Sequence, residues 1–152
     1  MEIKKLFGLV LILTLMCVCT RQYTCTKETK TDDFDYNIEM NLTFSSKKVK
    51  KVNSTVTYML TDTGYEKIDT LEQTLQSKND NYSFNDYIEF DFKVNNKLIN
   101  VYETIDLSKA KDEDRDTILT YNDLSTIYFN SKYKTDEVIE ELKNNNFTCE
   151  LK

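Results

Sequence analysis

From Phe34 the chain alternates without a break: Phe34, Tyr36, Ile38, Met40, Leu42 and Phe44 take every second position, with Asp35, Asn37, Glu39, Asn41 and Thr43 between them. A period of two puts the first set on one face of an extended strand and the second on the other, the pattern of an antiparallel strand with one buried face. The polar group Ser45 to Lys48 interrupts the run, and Val52, Ser54, Val56, Tyr58 and Leu60 then resume the same period, so the two runs predict a hairpin. After a turn at Asp62 to Gly64 the spacing changes. Tyr65, Ile68, Leu71 and Leu75 fall three or four residues apart, and the Glu, Gln, Lys and Thr between them complete an amphipathic helix that ends at about Ser77.

The segment SKNDNYSFND is loop-like, and Ile88, Phe90, Phe92 and Val94 then alternate with Glu89, Asp91 and Lys93 up to a turn at Asn95 to Lys97. The returning arm, LINVYETIDL from Leu98 to Leu107, carries apolar residues on both faces, as a more central strand does. Residues 108–124 show no clear period. Ser125 to Ser131 reads as a further strand. Thr135 then caps a helix whose acidic first turn, Asp136 and Glu137, suits the helix dipole and whose inward stripe is Val138, Ile139 and Leu142. Phe147, Cys149 and Leu151 alternate at the end as a short terminal strand. Each element has one apolar side to bury, so the expected fold is α+β: an antiparallel β-sheet with two helices packed on one face, in the order ββαβββα.

The first nineteen residues have a different character. Lys4 and Lys5 make a short basic start, and LFGLVLILTLMCVC from Leu6 to Cys19 is apolar apart from Thr14. That is the layout of an export signal, and the run is shorter than the roughly 20 apolar residues that span a bilayer. The expected division is therefore a signal peptide at 1–19, a disordered tether at 20–33, of which TKETKTDD is the charged and featureless part, and a single domain at 34–152. Cys19 is the boundary. It is either the lipid anchor or, with Cys17 and Cys19 in the small-residue cleavage positions, the last residue lost. Both outcomes leave the folded part with Cys25 and Cys149, which an oxidising compartment permits to pair. Because Cys25 falls in the expected tether, geometry and not cysteine count decides whether that bridge forms.

These elements resemble a known family, the YehR-like small bacterial lipoproteins. The likeness runs from about Tyr36 to Leu151 and is carried by NIEMNLTFSSKKVKKVNSTVTYML, DYIEFDFKV, LINVYETIDLSKA and the closing TDEVIEELKNNNF. The resemblance implies an envelope lipoprotein of uncharacterised activity and brings no active-site residues. This chain departs from the family at the anchor, where MCVC stands in place of a good lipobox.

Composition narrows the chemistry. The chain has no His, Pro or Trp and only Gly8 and Gly64. Without imidazole, triads and dyads that depend on it are excluded, and a single Gly after the signal region cannot build a phosphate-cradling loop. The formal charge is -6, and removing Lys4, Lys5 and Glu2 leaves 18 basic against 25 acidic side chains, or -7. So acidic a surface repels phosphate backbones, and no nucleic-acid partner is expected. Lys47, Lys48, Lys50 and Lys51 stand against that trend as a local anion patch or, more simply, a solvated hairpin turn.

Three further constellations invite functional readings. Asp112, Asp114, Asp116 and Asp123 have calcium-loop spacing, but Thr117 stands where the loop needs Gly and Asp123 is shorter than the usual Glu, so no metal is expected. Glu89 with Asp91, or Glu103 with Asp106, could form a carboxylate pair for glycan hydrolysis, yet Glu89 and Asp91 fall on a solvent-facing phase. Tyr82, Phe84, Tyr87, Tyr121 and Tyr133 fall in or beside loops and form a candidate aromatic surface for a partner or glycan. The expectation is a non-enzymatic, exported protein without a cofactor, held at the outer face of the cell membrane through Cys19 or secreted if not lipidated, that binds an unidentified protein or small ligand. The alternative is a calcium-dependent or carboxylate-based enzyme acting on envelope material.

Overall fold

The structure is a computed structural model, and it describes residues 20–111 and 134–152. Three long strands, β1 (Thr20–Lys30), β2 (Phe34–Ser45) and β3 (Lys48–Leu60), run as an antiparallel meander. Two helices, α1 (Asp62–Tyr65) and α2 (Ile68–Tyr82), lead to the hairpin β4 (Ile88–Asn95) and β5 (Leu98–Asp106). After the undescribed stretch come α3 (Thr135–Asn144) and β6 (Thr148–Leu151). The strands form one six-stranded antiparallel sheet in the order β4-β5-β3-β2-β1-β6. The fold is α+β. β5 is interior, as its two-faced apolar pattern predicts, and the strand expected at 125–131 lies outside the described residues.

The expected tether is corrected by β1. Residues 20–30 pair with β2 along their whole length, from Thr20 opposite Ser45 to Lys30 opposite Asp35. Composition hid a period of two: Tyr23 and Cys25 turn inward, and Lys27 follows them in phase and is half-buried. The Tyr23 ring meets Phe44 edge-on at 5.7 Å, and the Lys27 Nζ stands 5.5 Å from the centroid of the Phe147 ring. A charged residue in an inward phase, between two Thr-rich flanks, reads locally as a loop. The neighbouring strand supplies the backbone partners that make it sheet.

One face of the sheet is apolar. Met40, Leu42, Phe44, Val52, Ile99, Val101 and Ile105 are essentially inaccessible and join Leu75 of α2 and Val138 and Leu142 of α3 in one core cluster. The helix expected from Tyr65 to Ser77 is displaced toward the C-terminus. Tyr65 belongs to α1 and is exposed, whereas α2 continues to Tyr82, which repeats the Leu75 position two turns later and is buried. In α1 the chain passes so close to the β1–β2 turn that a Cβ on Gly64 would lie 1.8 Å from the Asp33 carbonyl oxygen. Only glycine fits there. Thr61 closes the junction by accepting the Gly64 N–H at 3.1 Å and donating to the Asp33 carbonyl at 2.9 Å.

Two turns decide where the site features fall. The β2–β3 hairpin closes through Ser46 and Lys47, both with positive φ (51° and 66°), the two-residue geometry whose twist matches the flanking strands. At the end of α3, Asn146 takes φ 65° and Phe147 N–H donates to the Leu142 carbonyl at 3.0 Å, so the helix stops and β6 is aimed back at β1.

Candidate functional site

The cysteine pair is built by strand register. Cys25 sits near the middle of β1 with its side chain fully buried, and β6 returns antiparallel so that Cys149 stands directly opposite it, 4.1 Å away between α-carbons. The structure joins the two in a disulfide across 124 residues of sequence. On its other side Cys25 pairs with Met40 of β2, so the bridge ties the edge strand β6 to the strand that flanks the core. Cys19, one peptide bond before β1, lies outside the described residues.

The opposite face of the same strands is polar, and it is ordered by cross-strand pairing. One row runs through all six strands as Glu89, Thr104, Asn53, Asn41, Thr24 and Glu150. Within it the Thr24 hydroxyl donates to Asn41 Oδ1 at 2.9 Å and the Thr104 hydroxyl to Asn53 Oδ1 at 3.0 Å, and in a nearby row the Thr57 hydroxyl donates to Asn100 Oδ1 at 3.1 Å. Asn41 also donates to Glu39 at 2.9 Å and accepts from the Lys152 ammonium at 2.8 Å. Gln22, Asn41, Thr43, Asn53 and Lys152 line a shallow depression of about 280 Å³ on this face. Its amides, hydroxyls and single ammonium can hold a polar ligand by hydrogen bonds. None of these groups is a nucleophile activated by a neighbouring base.

The threonine–asparagine rows were absent from the sequence reading. Their signal was available as Thr or Asn at the solvent-facing phase of β1, β2, β3 and β5 in turn, but which rows align depends on register.

The carboxylate candidates separate. Glu89 and Asp91 are exposed on the polar face of β4. Glu103 points the other way and is buried opposite Ser54 and Phe90, while Asp106 ends β5 at the surface. A hydrogen bond from the Ser108 hydroxyl holds the Asp106 carboxyl below its ordinary range, against a smaller opposing effect of burial, and the Ser108 N–H, Lys109 and Lys51 reinforce it. Asp62 is likewise lowered, by its hydrogen bond and ion pair with Lys97. Glu103 and Asp106 are thus three residues apart on opposite sides of the sheet surface and do not converge. Among the described residues no three His, Cys, Asp or Glu side chains gather in metal-binding geometry. Asp112, Asp114, Asp116 and Asp123 lie outside them.

The aromatic set divides too. Tyr82 is buried against Phe90, with ring centroids 5.6 Å apart, which corrects its assignment to an exposed surface. The period of α2 carries it inward. Phe84 is 87% exposed, Tyr87 is half-buried, and Tyr121 and Tyr133 lie outside the described residues.

No family model and no curated protein matches the chain. Solved structures do. The NMR structure of the E. coli YehR protein superposes with a TM-score of 0.62 over 88% of this chain and 93% of that one, at 13% identity. The NMR structure of a protein from Streptococcus pneumoniae TIGR4 gives 0.52 over 84% of each chain, also at 13% identity. The chain has a YehR-like fold.

Proposed function

We propose that the protein is an exported, lipid-anchored component of the cell envelope with a non-enzymatic binding or accessory role. The observation that carries this reading is the Cys25–Cys149 bridge between β1 and the edge strand β6, with Cys25 fully buried, because such a bond persists in oxidising compartments and is rare in the cytosol. Lys4 and Lys5 ahead of the apolar run Leu6 to Cys19 support the same address. The polar outer face supports a binding role, since its depression offers hydrogen bonds without a reactive pair.

Intact mass of the protein recovered from the envelope tests the anchor, the cleavage site and the bridge together. The expected mass is that of a chain beginning at Cys19 plus acyl groups and less two hydrogens. A Cys19→Ala variant should leave the membrane fraction or keep its uncleaved signal. A variant that stays in that fraction at wild-type size would remove the lipid anchor.

A further inference from the structure

The hairpin tip that closes β2 and β3 lies beside Thr20, the first described residue of β1. Thr20 pairs with Ser45, next to the turn at Ser46 and Lys47, and Cys19 precedes Thr20 in sequence by one peptide bond. Lys47, Lys48 and Lys50 are exposed at this tip, and Arg21 is exposed beside it on β1. A second chain segment joins them: Lys134 forms a bridge with Lys48, and Thr135 N–H donates to the Lys47 carbonyl at 2.9 Å. Lysine also occupies a left-handed position, φ 66°, where such a turn favours glycine or asparagine.

The two ends of the sheet differ in how charge is balanced. At the far end Lys30 meets Asp35 at 3.2 Å, Lys67 meets Asp33 at 2.7 Å, and Lys97 meets Asp62. At the tip, among the described residues, Lys47, Lys48 and Lys50 enter no ion pair. Among the described residues, Glu137 lies 3.8 Å from Lys134, Asp106 is bound by Ser108, and Asp136 is exposed on α3.

We infer that the tip formed by Lys47, Lys48 and Lys50, with Arg21 and Lys134, is a docking surface for the anionic headgroups of the membrane that carries the anchor. This rests on the anchored reading above. A body of net charge -7 held against an anionic bilayer is repelled over most of its surface. The basic tip is the part drawn in, and its attraction acts over about one Debye length, roughly 8 Å at physiological salt. Docking stands the sheet on its hairpin end, points the far end away from the bilayer and leaves the polar face open to one side.

The test uses full-length protein taken from its host membrane and inserted into preformed vesicles of phosphatidylcholine, with or without phosphatidylglycerol. Flotation with the neutral vesicles reads the anchor alone, and lysine acetylation followed by mass spectrometry reads the tip. Expected is a several-fold slower labelling of Lys47, Lys48 and Lys50 on the anionic vesicles than on the neutral ones, abolished by high salt, with Lys67 and Lys97 unchanged. In a Lys47→Gln, Lys48→Gln, Lys50→Gln variant the protection of Lys134 should go too. Equal labelling on both vesicles, or protection of Lys67 and Lys97 instead, overturns the docking surface. So does protection that appears only when envelope proteins are added, which assigns the tip to a protein partner. Protein that fails to float with neutral vesicles but keeps the lipid-dependent protection removes the anchor and leaves the docking standing.

Discussion

The two faces of the sheet are made by alternate residues of the same strands, yet they do opposite work. On one, Cys25, Met40, Leu42, Val52 and Val101 are closed off from water in a cluster that also holds Leu75 of α2 and Val138 and Leu142 of α3. On the other, Thr24, Asn41, Asn53 and Thr104 remain partly open and satisfy one another sideways. The first face has no freedom, because a side chain removed there leaves a void that close-packed neighbours fill only in part. The second has freedom to spare, since water replaces any hydrogen bond lost at an open surface. Stability resides on one side, and room for recognition on the other.

The widest separation between the faces should come from the disulfide. Replacing Cys25 and Cys149 together by Ser should cost about 4–5 kcal/mol, because the loop released spans 124 residues and the chain-entropy cost grows with loop length. Urea unfolding with and without reductant measures it, and an unchanged midpoint would show that β6 is held by packing alone. Leu42→Ala should follow, at about 3–4 kcal/mol for a fully buried leucine.

Tyr58 gives a pH-dependent contrast. Burial first, and the neighbouring Tyr36 second, push its phenol from 10.0 up to about 12. The folded state therefore holds a proton that the unfolded chain releases, so this contribution is intact below pH 10 and lost as pH rises toward 12. The loss is about 2–3 kcal/mol. Stability curves across that range should flatten in Tyr58→Phe, and a wild-type curve that is already flat would place the phenol in water.

The smallest effect belongs to the polar face. Thr104→Val removes one hydrogen bond to Asn53 at a half-open site and should shift stability by less than about 1 kcal/mol. A cost near that of Leu42→Ala would make the threonine–asparagine rows structural and erase the distinction between the faces.

Most of the sheet could be read in advance where a strand's neighbours in sequence are also its neighbours in space. The β2–β3 and β4–β5 hairpins have short turns and clean alternation, and both appear where the period of two put them. α3 was legible from its acidic first turn and its inward stripe, although the N-cap is Lys134 and not Thr135, which is the first helical residue. β1 was not legible, because Lys27 occupies an inward phase and lies along Phe147, which is 120 residues away in sequence. Tyr82 misled for a related reason: the polar residues before it suited a loop, and only packing against Phe90 shows that the helix continues.

Local chemistry in the chain was enough for the α+β class, the two hairpins, the orientation of α3 and the exclusion of imidazole-based catalysis. These depend on residue type and on spacings of two to four positions, which the backbone's own periodicities convert directly into faces. The place of β1 inside the sheet, the meeting of Cys25 with Cys149, the alignment of the threonine–asparagine rows and the approach of Lys134 to Lys47 and Lys48 were decided by tertiary structure. Each joins segments far apart in the chain. Closing such loops has an entropic cost that no local pattern records, and only the burial and backbone pairing of the assembled sheet offset it.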